Sequence, residues 1–416
     1  LITDEKLQLL YGENSISVQR KRYDRAVKHF EDLYGPSENL MIFSAPGRTE
    51  VGGNHTDHNR GCVLAAAVDL DVIAIVRPEI GSVVRVKSEG FPEDVVDISD
   101  LSIKESERNT SAALIRGVAA GFARTHHSVS GFTAYTTSNV LKGSGLSSSA
   151  AFEVLIGTIF SHIANEGCVT AVEIAQIAQF AENQYFGKPS GLMDQMASSV
   201  GGFITIDFKD TAEPVISSIP FDFASSGYDV FIVDTKGDHA DLTPDYAAIP
   251  AEMRSVAQYF DKEVLREITR ADVVANIDEI RKKCGDRAVS RALHFFDENS
   301  RVASEAAALR SGDVDMFLSL VNGSGNSSFC FLQNVFTGHD SRNQGLVMGL
   351  YFAQSVLKGT GASRVHGGGF AGTIQAFVPK DLSEEFVQKL EAVFGKGSCY
   401  KLYIRPVGGT RVDEVL

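Results

Sequence analysis

Tryptophan is absent from this chain of 416 residues, cysteine occurs only five times, and Lys plus Arg number 39 against 53 Asp plus Glu. Each shortage removes a class of protein. The cysteines (Cys62, Cys168, Cys284, Cys330, Cys399) are odd in number and widely scattered, which argues against a disulfide framework or a paired-cysteine zinc site and fits a reducing cytoplasm. The longest apolar run, Cys62 to Val68, is strand-sized and far short of the ~18 residues a membrane span needs. A net charge of −14 disfavours nucleic acid or an anionic lipid surface as partner, since both require a broad basic face. Any phosphate chemistry must then rest on a small local site. Leu1 to Gly12 has no basic stretch followed by an apolar core, so no secretory signal is read there and a cytoplasmic location is expected. No obligate protein partner is evident.

What is present describes an ordinary globular chain, 44% hydrophobic and 22% charged, long enough for two domains. From Met41 to about Phe208, β-branched and aromatic segments predict strands at Val63–Val76, Val83–Val86, Gly131–Thr137 and Phe203–Phe208. Two helices interrupt them. Ser147–Asn165 is apolar on nearly every face and so belongs inside a domain, and Thr170–Phe186 opens with Thr170 and Glu173 in capping-box register. Beyond about Asp210 helical periodicity dominates, at Tyr246–Phe260, Asp272–Lys283, Ala288–Asp297, Arg301–Ser311 and Ser341–Leu357. Strands return at Thr373–Val378 and Tyr400–Arg405, around a helix near Ser383–Phe394. Without regular βαβ alternation the pattern predicts an α+β architecture, divided softly at 20–210 and 211–416.

Four segments carry the chemistry. Gly143-Ser144-Gly145-Leu146-Ser147-Ser148-Ser149 runs straight into the apolar helix, where unpaired N–H groups and the helix dipole suit an anion; the alternative is a flexible turn with a serine N-cap. Gly367-Gly368-Gly369-Phe370-Ala371-Gly372 matches the GxGxxG pattern, but a strand rather than a helix follows, which argues against a dinucleotide site. Arg48-Thr49-Glu50-Val51-Gly52-Gly53-Asn54-His55-Thr56-Asp57-His58 packs donors and acceptors densely enough for a polyhydroxylated ligand; a metal site at His55, Asp57 and His58 is the poorer reading, for want of a fourth ligand. Lastly, Asp194 follows the Gly187–Gly191 turn and precedes small apolar residues, either as a turn residue or as a carboxylate able to take a proton from a substrate hydroxyl.

In this order, the segments resemble the GHMP family of small-molecule kinases, and within it the galactokinases, over residues 41 to 378. The resemblance implies a two-domain fold with the active site in the cleft, and transfer of the ATP γ-phosphoryl to the anomeric hydroxyl of galactose. It implies Asp194 as catalytic base, Arg48 as the cation steadying the transferring group, and Ser149 with Glu182 as Mg²⁺ ligands. Gly143, Ser144, Gly145, Leu146, Ser147, Ser148 and Ser149 would wrap the ATP phosphates, and Asn54, His55, Asp57, Gly191 and Tyr246 would line the sugar site. Three positions depart from the family pattern. Asn54 replaces an acidic residue, His58 a tyrosine and Glu50 an asparagine, which opens galacturonate, arabinose or N-acetylgalactosamine as alternative substrates. The family also includes catalytically silent sugar sensors that lose part of the Ser-Ser-Ala run; here Ser147, Ser148, Ser149, Ala150 and Ala151 are all present.

Overall fold

The computed structural model describes residues 2–141, 145–237 and 242–415. Its strands are β1 (Met41–Gly52), β2 (Cys62–Pro78), β3 (Val83–Ser88), β4 (Glu93–Asp97), β5 (Phe132–Ser138), β6 (Phe203–Asp207), β7 (Val215–Ile219), β8 (Tyr228–Asp234), β9 (Ala362–Val365), β10 (Thr373–Pro379), β11 (Cys399–Leu402) and β12 (Thr410–Arg411). Two sheets result. The first has the order β12-β1-β2-β5-β3-β4, with β6 and then β7 added beside the front half of β2; the second runs β11-β8-β10-β9. Helices pack on both sheets without βαβ alternation, as an α+β fold requires.

Alternation along β2 explains its unbroken hydrophobicity. Val72, Ala74 and Val76 enter the core beneath helices Ser111–Arg124, Ser148–Asn165 and Ala171–Phe180, while Ile73 and Ile75 face the N-terminal helices Asp4–Tyr11 and Ile16–Tyr34. In the second sheet, Phe231, Val233, Ile374 and Ala376 bury against helices Gly345–Leu357 and Ser383–Phe394. Val230, Ile232 and Phe377 turn the other way and join the first core, so the sheets share one apolar interior.

The chain does not divide simply at residue 210. Strand β7 extends the first sheet past that point, and the C-terminus returns to it: β12 pairs with β1, and Val68 bridges Ile404. Arg405 then reaches the buried Asp71 at 3.1 Å, opposite Arg22 at 2.5 Å. Two cations around one carboxylate thus fasten both ends of the chain to β2.

What positions the site is the irregular middle of β1. Its register against β2 shifts between Pro46 and Arg48 and again between Glu50 and Gly52, and such bulges re-aim side chains. At Gly47 a Cβ would come within 2.7 Å of the Leu146 carbonyl, so only glycine lets the serine-rich loop lie this close to the strand.

Candidate active site

Arg48 leaves the bulge with its guanidinium nearly buried. Nε donates to Asp194 Oδ1 at 2.9 Å, Nη2 lies 2.8 Å from the same oxygen, and Nη1 donates to the Gly145 carbonyl. Asp194 stands in the first turn of helix Met193–Val200, where the helix dipole favours a carboxylate, and its Oδ2 accepts from the Ser147 hydroxyl. Burial pushes this carboxyl's pKa up, but the Arg48 charge and the bonds from Ser147 and Arg48 outweigh it and hold the group below the ordinary range. Ser147 pays for its place with a left-handed backbone, φ 58° and ψ 64°, a strained state for serine.

Two residues further, Ser149 Oγ donates to Glu182 Oε1 at 3.0 Å. Glu182 belongs to a π-helical turn, Ala181–Phe186, that widens the end of helix Ala171–Phe180 and directs the carboxylate under the serine loop. Its Oε2 accepts from Ser190 Oγ (2.6 Å) and Gln195 Nε2 (2.8 Å), and Gln195 also reaches Glu153 (3.0 Å). Burial, and then the Glu182 charge, push the Glu153 pKa well up.

On the far side, Asp57 lies beside Gly191, where a Cβ would stand 3.4 Å from Asp57 Oδ2, and its carboxylate is partly exposed. His55, at φ 58°, pairs Nε2 with the Gly368 carbonyl at 2.9 Å. Burial and the neighbouring His58 push its pKa down to about 4, so it is neutral and Nε2–H donates. Tyr246 donates to the adjacent carbonyl, that of Gly369, at 2.9 Å. The Gly367–Gly372 run therefore links His55 to Tyr246 through its backbone. No three His, Cys, Asp or Glu side chains among the described residues are grouped to hold a metal.

Two expectations need correction. Asn54 does not face the cleft: fully buried, its Nδ2 donates to Glu50 Oε1 (2.9 Å) and the Gly367 carbonyl (2.8 Å), while Oδ1 accepts from Ser328 Oγ (3.2 Å) and Asn334 Nδ2 (2.9 Å). All four positions of the amide are occupied, so none is left for a sugar hydroxyl. Leu146 likewise offers no side chain to a ligand: it is buried in the core, and its carbonyl accepts from Arg48 N–H at 3.1 Å. Gly143 and Ser144 lie outside the described residues.

Two family models match the chain, a galactokinase galactose-binding signature over residues 28–78 and a GHMP kinases N-terminal domain over 113–202. The galactokinase of Lactobacillus helveticus is 30% identical over 361 residues, 85% of this chain and 89% of that protein. The chain belongs to the galactokinase family. A second galactokinase, from Actinobacillus pleuropneumoniae serotype 3, is 31% identical over 86% of this chain and 90% of its own length. Among solved structures, Lactococcus lactis galactokinase complexed with galactose superposes with a TM-score of 0.78 over 94% of this chain and 100% of its own, at 24% identity. Methanococcus jannaschii mevalonate kinase shares the fold at TM-score 0.63 and 14% identity, over 89% and 99%.

Parts of this galactokinase-family site escape the sequence reading. A cavity of about 600 Å³ opens beside Ser148 and Ser149, walled by Ser88, Glu89, Phe91 and, from other elements, Asn139 and Phe152. None of these five residues belongs to the four segments that carry the chemistry. Lys188 is also unmarked, yet its ammonium stands 3.0 Å from Glu182 Oε1.

Proposed function

We propose that this chain is an ATP-dependent sugar 1-kinase that phosphorylates the anomeric hydroxyl of galactose, giving galactose 1-phosphate. One observation carries the reading: an ionised carboxylate, Asp194, held by Arg48 and Ser147 at the N-terminus of the helix that begins with Ser148 and Ser149. Asp194 accepts the anomeric proton. Its low pKa is no obstacle, because phosphoryl transfer passes through a loose transition state in which the acceptor needs positioning more than basicity. Arg48, fixed through Gly145 to the serine loop and through Asp194 to the acceptor side, holds the two reactants in register and opposes the charge on the transferring group. The amides at the start of helix Ser148–Asn165 receive the phosphates, with the adenine in the adjoining cavity.

Ser149 and Glu182 fit a magnesium ion. Their oxygens are hard donors 3.0 Å apart, against about 2.9 Å for neighbouring ligands of an octahedral ion at 2.0–2.1 Å. Held by these two residues, the ion would supply positive charge against the ATP phosphates. His55, Asp57, Gly191 and Tyr246 we assign to the sugar, with Asp57 as its main acceptor. No helix is long and apolar enough to cross a membrane among the described residues, and we place the reaction in the cytoplasm, where ATP is available and five free thiols persist.

The test is turnover of ATP with galactose, galacturonate, arabinose and N-acetylgalactosamine in parallel. ADP release dependent on galactose is the expected result. Turnover on another of these sugars alone moves the substrate assignment and leaves the reaction class standing; sugar binding without any turnover revives the silent sensor.

A further inference from the structure

Lys188 sits in the short connection between the π-helical turn and the helix that bears Asp194. Its backbone is pinned: N–H donates to the Glu182 carbonyl at 3.1 Å, Gly187 N–H to the same carbonyl at 3.0 Å, and Ser190 N–H to Asn183 Oδ1 at 2.7 Å. Its side chain is not pinned. Although 56% exposed, it folds inward so that Nζ lies 3.0 Å from Glu182 Oε1, the oxygen that also accepts from Ser149. Glu182 itself is 2% exposed, and a carboxylate so deeply buried needs a counter-charge. The ammonium supplies it, and also lies near enough to Asp194 to favour that group's ionised form.

We propose that Lys188 is the resident counter-cation of Glu182 in the empty enzyme, and that it exchanges to the polyphosphate when the divalent ion and nucleotide enter. The inference rests on the assignment of Glu182 as a metal ligand. A lysine ammonium and a divalent ion cannot both hold one carboxylate oxygen without strong repulsion, whereas an incoming triphosphate offers the displaced ammonium several anionic oxygens. The exchange needs only side-chain rotation, because the backbone on either side is fastened and the four-carbon stem is exposed. Lys188 thus excludes a bare divalent ion from Glu182 and rewards one that arrives with its nucleotide.

The experiment measures Mn²⁺ binding by electron paramagnetic resonance without nucleotide, and MnATP binding by calorimetry, for wild type, Lys188→Met, Lys188→Arg and Glu182→Gln. Lys188→Met is expected to bind bare Mn²⁺ about two- to fivefold tighter, because the competing ion pair, with its half-exposed ammonium, is gone, and MnATP about tenfold weaker, because a charged phosphate contact is lost. Lys188→Arg should resemble wild type in both. The opposite directions are the signature. Both affinities unchanged, both weakened together, or MnATP binding unaffected would each overturn the proposal. If Glu182→Gln leaves bare Mn²⁺ and MnATP binding as in wild type, the metal assignment itself fails, a result distinct from a silent Lys188→Met.

Discussion

Replacing Asp194 by Asn removes one charge at nearly constant volume and separates the two roles this residue admits. As a catalytic base, Asp194 takes the acceptor's proton; as a mere first-turn acid, it steadies a helix of eight residues. The amide has no basic lone pair of use at the anomeric oxygen, so the first role predicts a fall in kcat of about 10²–10⁴, or ~2.7–5.5 kcal/mol of transition-state stabilisation. Arg48 would also lose its ion pair while 7% exposed, keeping the Gly145 carbonyl, which costs about 1–3 kcal/mol of stability. Galactose affinity should change little, because the residues assigned to the sugar, Asp57, His55 and Tyr246, lie on segments other than the Asp194 helix. The assay is ADP release at saturating ATP and galactose, with thermal unfolding and galactose calorimetry on the same preparation. A variant that keeps kcat within about threefold of wild type refutes the role, whatever its stability.

Other outcomes follow from the same geometry. Ser147→Ala removes a hydrogen bond that keeps Asp194 ionised, so the acid limb of the pH profile of kcat/KM should move to higher pH. In wild type the depressed Asp194 pKa contributes stability that is present above the unfolded carboxyl value of about 3.9 and lost as pH falls through the lower folded value; acid unfolding of Asp194→Asn should lack that component. Asn54→Glu sets a second carboxylate against Glu50 in a buried network and should cost about 3 kcal/mol or more in urea unfolding. The double variant Glu50→Asn/Asn54→Glu, which leaves one charge between the two positions, should be less destabilised than Asn54→Glu alone; a strictly additive double-mutant cycle would deny the coupling. Arg364→Met strips the partner lying 3.1 Å from buried Glu50 and should cost about 3–5 kcal/mol.

Much of the fold is legible locally, and the exceptions have physical causes. The capping box at Thr170 and Glu173 and the helix Ser383–Phe394 stand where the sequence predicts them. Helix Ser111–Arg124 is missed because Gly117 and Gly121 dilute its periodicity. Both are needed for packing, since a Cβ would come within 2.8 Å of Ala181 and 2.6 Å of Ile177. The segments Ala288–Asp297 and Arg301–Ser311 are one helix, Asp286–Ser311, whose weak point at Asn299 is used to accept the Cys62 N–H at 2.7 Å. In the site, Arg48, Ser147, Ser149, Glu182 and Asp194 come together from motifs that each announce a turn or a helix start. Asn54 misleads because its partners, Ser328, Asn334 and Gly367, lie more than 270 residues away and nothing local reveals that they consume its amide. Lys188 is hidden for a related reason: an exposed lysine after a glycine reads as a solvated turn until the buried carboxylate beside it is seen.

The most direct test of the central claim is phosphorus NMR of purified protein incubated with ATP, Mg²⁺ and galactose. A sugar 1-phosphate resonance that grows with ADP in equal amounts is expected, and none with Asp194→Asn on the same timescale. ATP left intact in the presence of galactose, or phosphate appearing on a hydroxyl other than the anomeric one, would contradict it.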